Sequence, residues 1–382
     1  MAEILANYFT TVATNIGGAH VCYLTEDDLE NHSSIGAIRD SYSGPEFTFG
    51  CFSTGEIHKA IEKTEPRKSC GWDHGASPKL LKTVADGIAQ SLTVLYNNCI
   101  KLDQWPTAWK MGEWTPALKK GDNDRLEEKS YRPIASLICI DKIFEQLLSR
   151  QVMSHYDHSL YRRTTAYRKQ HSCETTLLTL VEEWRQAIDK KELTTVLSMD
   201  MSKAFDSLCH ALTIKKLDAY GFGNGAPKMM RSFFDGRLNR VKINGCASAW
   251  KPMERGCPLG SAFGTLLWNM FQNDLAYHFK GPSLTMYANN HQLYVTGKSY
   301  DTVETQLKQQ GEFAKAWYKD NFLLANPDKY QLLTINPRNL DATNSGKVLN
   351  IDDQEIKKTK EIKLLGVIID EHLNFTNHIS DV

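Results

Sequence analysis

Two aspartates stand six residues apart at the end of an apolar segment and could bind a metal ion. Residues 194–199 are β-branched or apolar enough to form a buried strand, which ends at Asp200. Asp206 follows, beyond the aromatic side chain of Phe205. A carboxylate at the exit of a buried strand is costly unless it is paired or bound to a cation, so Asp200 is a candidate metal ligand. The alternative is an aspartate that begins a turn or caps the next helix, and this segment alone favours that alternative.

Three basic residues could hold a chain of phosphates. Lys119 and Lys120 end a predicted strand at a turn, and Arg132 follows twelve residues after Lys120. A hairpin would bring them together, and Arg can grip a phosphate bidentately while Lys acts as a point charge. The alternative is a solvated hairpin tip, which is the commoner situation for such residues.

Two turns could bring further groups to a site. Residues 255–261 form a Gly/Pro loop with Leu259 and Gly260, which opens a predicted helix. Glycine there would let a bulky partner approach the backbone closely. Residues 288–291 form a predicted tight turn between two predicted strands, 284–287 and 292–296, and Asn289 and Asn290 within it are typical of a hairpin turn.

The elements that must position these residues mix helices and strands. Apolar spacing predicts helices over 78–100, 141–153, 172–188, 206–220 and 301–317, and strands over 194–199, 284–287, 292–296, 331–335 and 361–370. Residues 1–50 carry seven acids against Arg39 alone, and we expect an acidic, partly ordered linker over 1–53.

The composition bounds the class of protein. A chain of 382 residues is long enough for two or three domains. Lys plus Arg equals Asp plus Glu at 45 each, so any nucleic-acid binding must come from local basic tracks, at 161–171 and 227–255. We find no signal peptide and no apolar run that could cross a membrane, and the nine cysteines include no CxxC pair. These features predict an intracellular protein of the cytoplasm or nucleus.

The order of the motifs from about residue 54 to residue 379 resembles the reverse transcriptases of non-LTR (LINE-type) retrotransposons. The matching segments are Trp109-Lys110 with 119–122, 131–134, 171–175, 200–206, 256–261, 287–290, 326–329 and 365–367. The resemblance implies an α+β fold, namely a right-hand polymerase with palm and fingers. In it, helices back an antiparallel palm sheet, and the thumb is missing or only begun. We expect N-terminal helices and fingers over 54–190, the palm with a remnant catalytic site over 191–340, and the end of the palm and start of a truncated thumb over 341–382.

The resemblance also implies roles for single residues. Asp200 would bind Mg²⁺, joined by the backbone carbonyl of Met201, and Phe205 would clash with a 2′-hydroxyl and so favour deoxynucleotides. The triphosphate would be held by Lys119 or Lys120 with Arg132. Lys329 would protonate the departing pyrophosphate. The implied partners are an RNA template and a DNA primer, and we expect no interaction with a membrane.

Two departures from the family pattern affect the expected activity. The family's Tyr-Ala-Asp-Asp reads Tyr-Ala-Asn-Asn here, at Asn289 and Asn290, and Leu259 replaces a glutamine. Two Mg²⁺ ions repel one another and need carboxylates to hold them, whereas Asn offers a neutral amide oxygen. We therefore predict an RNA-directed DNA polymerase by family that is inactive as it stands. The alternative is a non-catalytic nucleic-acid-binding protein or an unselected retroelement remnant.

Overall fold

The computed structural model describes residues 1–15, 24–71, 76–119, 126–279, 283–336, 348–352 and 354–381. None of the helices in these ranges combines the length and the apolar character that crossing a bilayer requires. The α-helices are α1 (Ala2–Asn15), α2 (Glu26–Glu30), α3 (Ser33–Ser41), α4 (Thr54–Glu62), α5 (Pro78–Thr83), α6 (Ala85–Lys101), α7 (Cys139–Tyr156), α8 (Cys173–Asp189), α9 (Ala204–Ser207), α10 (His210–Ala219), α11 (Ala226–Phe234), α12 (Ala262–Gln272), α13 (Tyr300–Asp320) and α14 (Thr376–Asp381). The strands are β1 (Met111–Leu118), β2 (Tyr131–Ser136), β3 (Leu193–Ser202), β4 (Leu238–Ile243), β5 (Cys246–Ala247), β6 (Lys251–Pro252), β7 (Leu284–Tyr287), β8 (Asn290–Gly297), β9 (Leu324–Ala325), β10 (Gln331–Ile335), β11 (Val348–Ile351), β12 (Gln354–Thr359), β13 (Glu361–Leu364) and β14 (Val367–Asp370).

The chain divides into two compact units, and neither is continuous in sequence. Unit 1 comprises Met1–Ser159 and Phe205–Phe271, and unit 2 comprises Leu160–Ala204 and Gln272–Val382. This division differs from the continuous segments that we predicted, with boundaries at 53, 190 and 340. The reason is strand pairing, because a strand and its partner in one sheet can lie far apart along the chain.

Unit 2 is built on one sheet with the order β11-β12-β10-β3-β8-β7, and β9 pairs with the end of β3. Strand β3 is antiparallel to both β8 and β10, and β7 is antiparallel to β8. The prediction that 194–199, 284–287 and 292–296 share an antiparallel sheet is therefore confirmed. The sheet also contains one parallel pair, β10 with β12, which we did not predict.

Helices cover both faces of this sheet. Leu180 and Trp184 of α8 are buried in one core cluster with Val196 of β3. The next residue along β3, Leu197, packs beside Gly311 of α13. Because successive side chains of a strand point to opposite faces, α8 and α13 lie on opposite faces of the sheet. The helices predicted at 172–188 and 301–317 therefore back it as expected, whereas the helix predicted after Asp206, which we also expected to back it, belongs to unit 1.

Unit 1 contains a smaller sheet with the order β2-β1-β4-β5, to which β6 adds beside β4. The β1–β2 pair is antiparallel and the β1–β4 pair is parallel. Helix α1 covers this sheet, with Leu5 and Phe9 buried against Trp114 and Val241. We expected a partly ordered linker over 1–53, whereas the described parts of this segment, 1–15 and 24–53, contain α1, α2 and α3. The apolar residues of α1 bury against strands, and α2 and α3 contact helix α10, all of which come much later in the sequence.

Two predicted elements are interrupted. The helix predicted over 78–100 breaks at Val84, whose φ of −109° and ψ of 17° leave the helical region. The strand predicted over 361–370 is a hairpin, in which β13 pairs with β14. Leu365 and Gly366 have positive φ angles of 48° and 94°, and two such residues in succession form the tight turn that suits twisted strands.

Candidate functional site

The end of β3 and the start of β8 bring the central candidate residues together in unit 2. Asp200 pairs in register with Asn290, and Tyr287 of β7 pairs with the same residue. The turn between the strands is therefore Ala288 and Asn289, which is shorter than the turn over 288–291 that we predicted, because β8 already begins at Asn290. Ala288 adopts the left-handed geometry, with φ of 54°, an uncommon conformation for a residue with a β-carbon.

The side chain of Asn289 connects two atoms that the resemblance assigned to a metal ion. Its amide nitrogen donates a hydrogen bond of 2.5 Å to Oδ1 of Asp200 and another of 3.0 Å to the backbone carbonyl oxygen of Met201. A carboxylate and a carbonyl only accept hydrogen bonds, so this network requires the NH₂ group, and not the amide oxygen, to face them. An aspartate at position 289 would present only acceptors to the same two atoms.

The second oxygen of Asp200 is also occupied. The ammonium of Lys329 lies 2.9 Å from Oδ2 of Asp200, and the Lys329 side chain is 59% exposed. The backbone N–H of Asn326 donates to the backbone carbonyl of Asp200 at 3.1 Å. This arrangement follows from β9, which pairs with Met201 and Ser202 and leads into the short 3₁₀ turn that carries Lys329. Asp200 is thus held by Asn289 on one oxygen and Lys329 on the other.

The groups around Asp200 do not form a cluster suited to binding two divalent ions. Among the described residues, no three His, Cys, Asp or Glu side chains lie close enough to share a metal ion. The donor set around Asp200 is one carboxylate, one carbonyl and the amides of Asn289 and Asn290. Asp206 belongs to the next helix, α9, beyond the end of β3. Mg²⁺ prefers carboxylate oxygens, so the residues present do not fit a pair of Mg²⁺ ions.

The hairpin contains a buried histidine, His291, whose structural role the sequence analysis did not predict. His291 is 0% exposed; its Nδ1 lies 2.8 Å from the hydroxyl of Tyr318 and its Nε2 lies 3.0 Å from Oε1 of Gln272. Burial lowers the pKa of His291 to about 3, so the ring is neutral at pH 7. The available signal was its position in β8, directly after Asn290 and on the same strand face as the apolar Leu293.

Two of the predicted phosphate-binding residues share one face of the β1–β2 hairpin in unit 1. Ala117 pairs with Arg132, and Lys119 continues the ladder by donating its N–H to Ser130 at 2.9 Å. Side chains two residues apart on a strand share a face, so Lys119 and Arg132 are diagonal neighbours. The ammonium of Lys119 also bonds the carbonyl of Lys129. The predicted partner Lys120 lies outside the described residues.

The 255–261 loop lies against the same hairpin. The carbonyl of Leu259 accepts from the N–H of Ala135 on β2 at 2.8 Å, and Gly260 has φ of 119°. A β-carbon on Gly260 would come within 2.9 Å of the Ala135 carbonyl oxygen, so glycine is required there. Phe205 also contacts this loop, because its carbonyl accepts from the N–H of Cys257 at 2.9 Å. Four candidates, Lys119, Arg132, Leu259 and Gly260, are therefore gathered around β2, with Phe205 adjoining the loop.

A buried glutamate holds this loop in place and was also missed. Oε2 of Glu145, on α7, accepts from the hydroxyl of Ser261 at 2.8 Å and from the N–H groups of Ala262 at 2.7 Å and Phe263 at 3.3 Å. It thus caps the N-terminus of α12 from another helix. Burial raises the pKa of Glu145, as it does that of its neighbour Asp141. The signal was two acids four residues apart on an otherwise apolar helix face.

The basic track predicted at 227–255 is mostly used inside unit 1. Arg237 and Arg255 are buried, Arg240 and Lys242 pair with Glu113, and Lys251 pairs with Glu3. The track contains seven Lys and Arg residues. Of these, only Lys228 and Arg231 are exposed without an ion pair among the described residues. In the 161–171 track of unit 2, Arg163 is buried against Glu183, while Arg162 and Lys169 are exposed. The surface available to a polyanion is smaller than the sequence suggested.

Comparison with known proteins identifies the family. Residues 118–369 match the profile described as reverse transcriptase (RNA-dependent DNA polymerase). The chain is 27% identical over 343 residues to a probable RNA-directed DNA polymerase from transposon BS of Drosophila melanogaster, covering 85% of this chain and 36% of the relative. It is 24% identical over 336 residues to the RNA-directed DNA polymerase from mobile element jockey of the same fly, covering 86% and 36%. A Pol polyprotein from the type-1 retrotransposable element R1 of Bradysia coprophila is also 24% identical over 336 residues, covering 85% and 32%.

The profile match covers more than half of the chain, which therefore belongs to the reverse transcriptase family. The resemblance to non-LTR retrotransposon enzymes is confirmed. The chain spans about a third of the length of these curated relatives. Enzymes of this family generally use divalent metal ions.

Proposed function

We propose that this chain is a reverse transcriptase domain that binds nucleic acid but does not synthesise DNA. The observation that carries the proposal is the Asn289 side chain, whose amide nitrogen donates to both Asp200 and the Met201 carbonyl. These are the atoms that would have to bind a metal ion, and a donor group occupies both.

The electrostatics of the site also oppose a divalent cation. Asp200 contributes one negative charge, and the ammonium of Lys329 at 2.9 Å offsets it. A cation entering here would have to displace the Asn289 amide and would be repelled by the Lys329 ammonium. Loss of a single preorganised electrostatic group commonly lowers a rate by ~10²–10³, and two carboxylates are replaced here.

We assign the two units to parts of a right-hand polymerase. The antiparallel strands β3, β8 and β7 with Asp200 at their edge correspond to the palm. The β1–β2 hairpin with Lys119 and Arg132 corresponds to the fingers, where these cations would hold a triphosphate. Phe205 would exclude ribonucleotides, and Lys329 would act on the leaving pyrophosphate in an active relative. The shared face of Lys119 and Arg132 supports this assignment.

The nucleic-acid binding that we propose is weak and independent of sequence. RNA template and DNA primer are the expected partners. Contacts to their phosphates would come from exposed basic side chains, such as those of Arg162, Lys169, Lys228 and Arg231. Binding through few phosphate contacts falls with salt according to the number of ions released. Titration of a labelled RNA–DNA hybrid at two ionic strengths measures this number, and binding that ignores salt contradicts the proposal.

Primer extension tests the loss of DNA synthesis. The native chain, with Mg²⁺ and then with Mn²⁺, is compared with Asn289→Asp plus Asn290→Asp, and with that pair plus Leu259→Gln. We expect no extension by the native chain and some recovery in the variants. Addition of Asp200→Ala to the best variant is the control and should abolish recovery. Extension by the native chain overturns the proposal, whatever the variants do.

A further inference from the structure

Helix α7 carries two buried carboxyl groups one turn apart, those of Asp141 and Glu145, and both residues are 0% exposed. Residues four apart on a helix are neighbours on one face, so the two carboxyls share one environment. Glu145 caps the N-terminus of α12, whereas Asp141 accepts a hydrogen bond of 2.8 Å from Nε1 of Trp105. Acidic side chains are almost never fully buried unless they are paired, so this pair requires a physical explanation.

Each of the two carboxyls keeps one oxygen without a donor. Oδ2 of Asp141 and Oε1 of Glu145 are covered by protein atoms and accept no hydrogen bond from any residue that the structure describes. Burying an ionised carboxylate in this way costs far more free energy than burying a neutral carboxylic acid. The geometry therefore opposes the ionisation of both groups at once.

The positive charge around the pair is held by groups that donate to neither carboxyl. Arg237 is 2% exposed, and its Nε donates to the carbonyl of Phe233 at 2.6 Å, while both of its terminal nitrogens lack an acceptor among the described residues. Lys110 and Lys142 lie nearby, and burial lowers the pKa of each ammonium. The one fully buried cation, the guanidinium, can balance one carboxylate and leaves a second one uncompensated.

The other titratable groups around the pair are neutral at pH 7. Burial raises the pKa of Tyr96 on α6, and it raises the pKa of the thiols of Cys99 and Cys139 to about 11 and that of Cys257 to about 12. Burial lowers the pKa of His210, beside the guanidinium, to about 4. None of these groups supplies a charge that would offset a second carboxylate.

The hydrogen bonds distinguish the two carboxyls. Oε2 of Glu145 accepts from three donors at the start of α12, and donors of this kind stabilise a carboxylate. Asp141 accepts from Trp105 alone among the described residues. Burial raises the pKa of Asp141 well above its ordinary value, and the charge of Glu145 raises it further. Glu145 is therefore the ionised member of the pair, and Asp141 is the protonated one.

We propose that Asp141 is a neutral acid at pH 7 and that its proton acts as a pH-sensitive lock on the 255–261 loop. When the pH rises, Asp141 loses this proton to solvent and becomes a second buried carboxylate, one turn from Glu145. The two charges repel each other, and the Glu145 carboxylate is driven from the N-terminus of α12. The loop that carries Leu259 and Gly260 then loses its anchor. The inference goes beyond the proposed function, because the lock requires neither nucleic acid nor DNA synthesis.

Urea unfolding of the full chain at pH 7 and pH 8 tests the proton. The unfolded chain ionises Asp141 with an ordinary pKa of ~3.9, whereas the folded chain keeps the proton, so stability falls as the pH rises. We expect Asp141 to lower the folded-to-unfolded ratio roughly tenfold per pH unit, or about 1.4 kcal/mol.

Two variants isolate this contribution from that of the buried thiols, which is the same in all three chains. Asp141→Asn imitates the neutral acid and keeps an acceptor oxygen for Trp105, so it should lack the tenfold change. Asp40→Asn replaces an exposed acid and should behave like the native chain. An equal pH dependence in the native chain and in Asp141→Asn overturns the proposal.

Infrared spectroscopy of the native chain decides the matter even if Asp141→Asn does not fold. A protonated carboxyl group has a carbonyl stretching band that a carboxylate lacks. The folded native chain should show this band at pH 7 and lose it reversibly as the pH is raised. Absence of the band at pH 7 overturns the proposal without any variant.

Hydrogen exchange tests the lock itself. The N–H groups of Ala262 and Phe263 donate to Glu145, so their protection reports on the anchor of the loop. Above pH 7 the protection factors, which are corrected for the intrinsic pH dependence of exchange, should fall roughly tenfold per pH unit in the native chain. They should stay constant in Asp141→Asn. Constant protection in the native chain would show that the proton does not control the loop, and would overturn the lock.

Discussion

The amide nitrogen of Asn289 lies 2.5 Å from Oδ1 of Asp200 and donates a hydrogen bond to it. This contact stabilises the hairpin without a metal ion, because an NH₂ group supplies the positive partial charge that the carboxylate needs. The hairpin of this chain is therefore stabilised by a contact that requires no divalent ion.

The Asn289→Asp variant should depend on a divalent ion. Two carboxylates would then face each other beside the Met201 carbonyl, and we expect a loss of about 1–3 kcal/mol in the free energy of unfolding in EDTA. Mn²⁺ or Mg²⁺ should restore part of it, whereas the native chain should show no response at matched ionic strength. Urea unfolding with and without the ion measures both, and Asn289→Ala is the uncharged control. Stabilisation of the native chain by Mg²⁺ would contradict this prediction.

Glu145 should be important for the stability of unit 1. Glu145→Ala leaves the Ser261 hydroxyl and two backbone N–H groups of α12 without their acceptor, and also leaves a cavity. We expect a loss of about 3–5 kcal/mol. Glu145→Gln keeps one acceptor oxygen and should cost less than half as much. Chemical unfolding measures the series, with the exposed Glu62→Gln as a control of no effect. Equal values for the alanine and glutamine variants would show that the acceptor does not matter.

Gly260 should not tolerate a side chain. Gly260→Ala combines φ of 119° with a contact of 2.9 Å to the Ala135 carbonyl, and we expect a loss of about 2 kcal/mol or more. The matched change Gly55→Ala, on the exposed face of α4 with open space around it, should be neutral or stabilise by up to ~1 kcal/mol. Thermal unfolding of the two variants checks the difference, and similar melting temperatures would refute it.

Acid should destabilise the chain through buried histidines. Burial lowers the pKa of His291 to about 3 and that of His210 to about 4, both below the usual value of 6.5. The unfolded chain therefore binds these protons first, and stability falls as the pH drops from about 6.5 towards these values. Each ring contributes a slope of roughly 1 kcal/mol per pH unit. The slope should be smaller in His291→Gln, measured by urea unfolding between pH 7 and 5. An unchanged slope would show that His291 does not titrate on unfolding.

Local patterns were sufficient to predict much of unit 2. Ser172 caps α8 through the N–H of Thr175 at 3.2 Å, and Trp184 is buried on the predicted face of that helix. The hairpin of β7 and β8 follows from two apolar segments and a short turn between them. Such features depend on neighbours in sequence, and periodicity records them directly.

The missed features depend on partners far away along the chain. Nothing near Phe9 indicates that Trp114 and Val241 will bury it, so an acidic N-terminal segment resembled a linker. The role of Glu145 requires the N-terminus of α12, more than 100 residues later. At Asn289 the sequence shows an amide side chain, but only the geometry shows that its nitrogen donates to both Asp200 and the Met201 carbonyl.

The central position of β3 has a consequence for synthesis of the protein on the ribosome. Its neighbours in the sheet, β8 and β10, begin at residues 290 and 331, so β3 has neither of them to pair with while residues 203–289 are made. Contacts of such sequence separation form slowly, and an apolar strand that waits for its partner is prone to aggregate. Translation arrested before residue 290 should therefore leave β3 without a partner strand and open to chaperones, and Asp200 without Asn289 and Lys329.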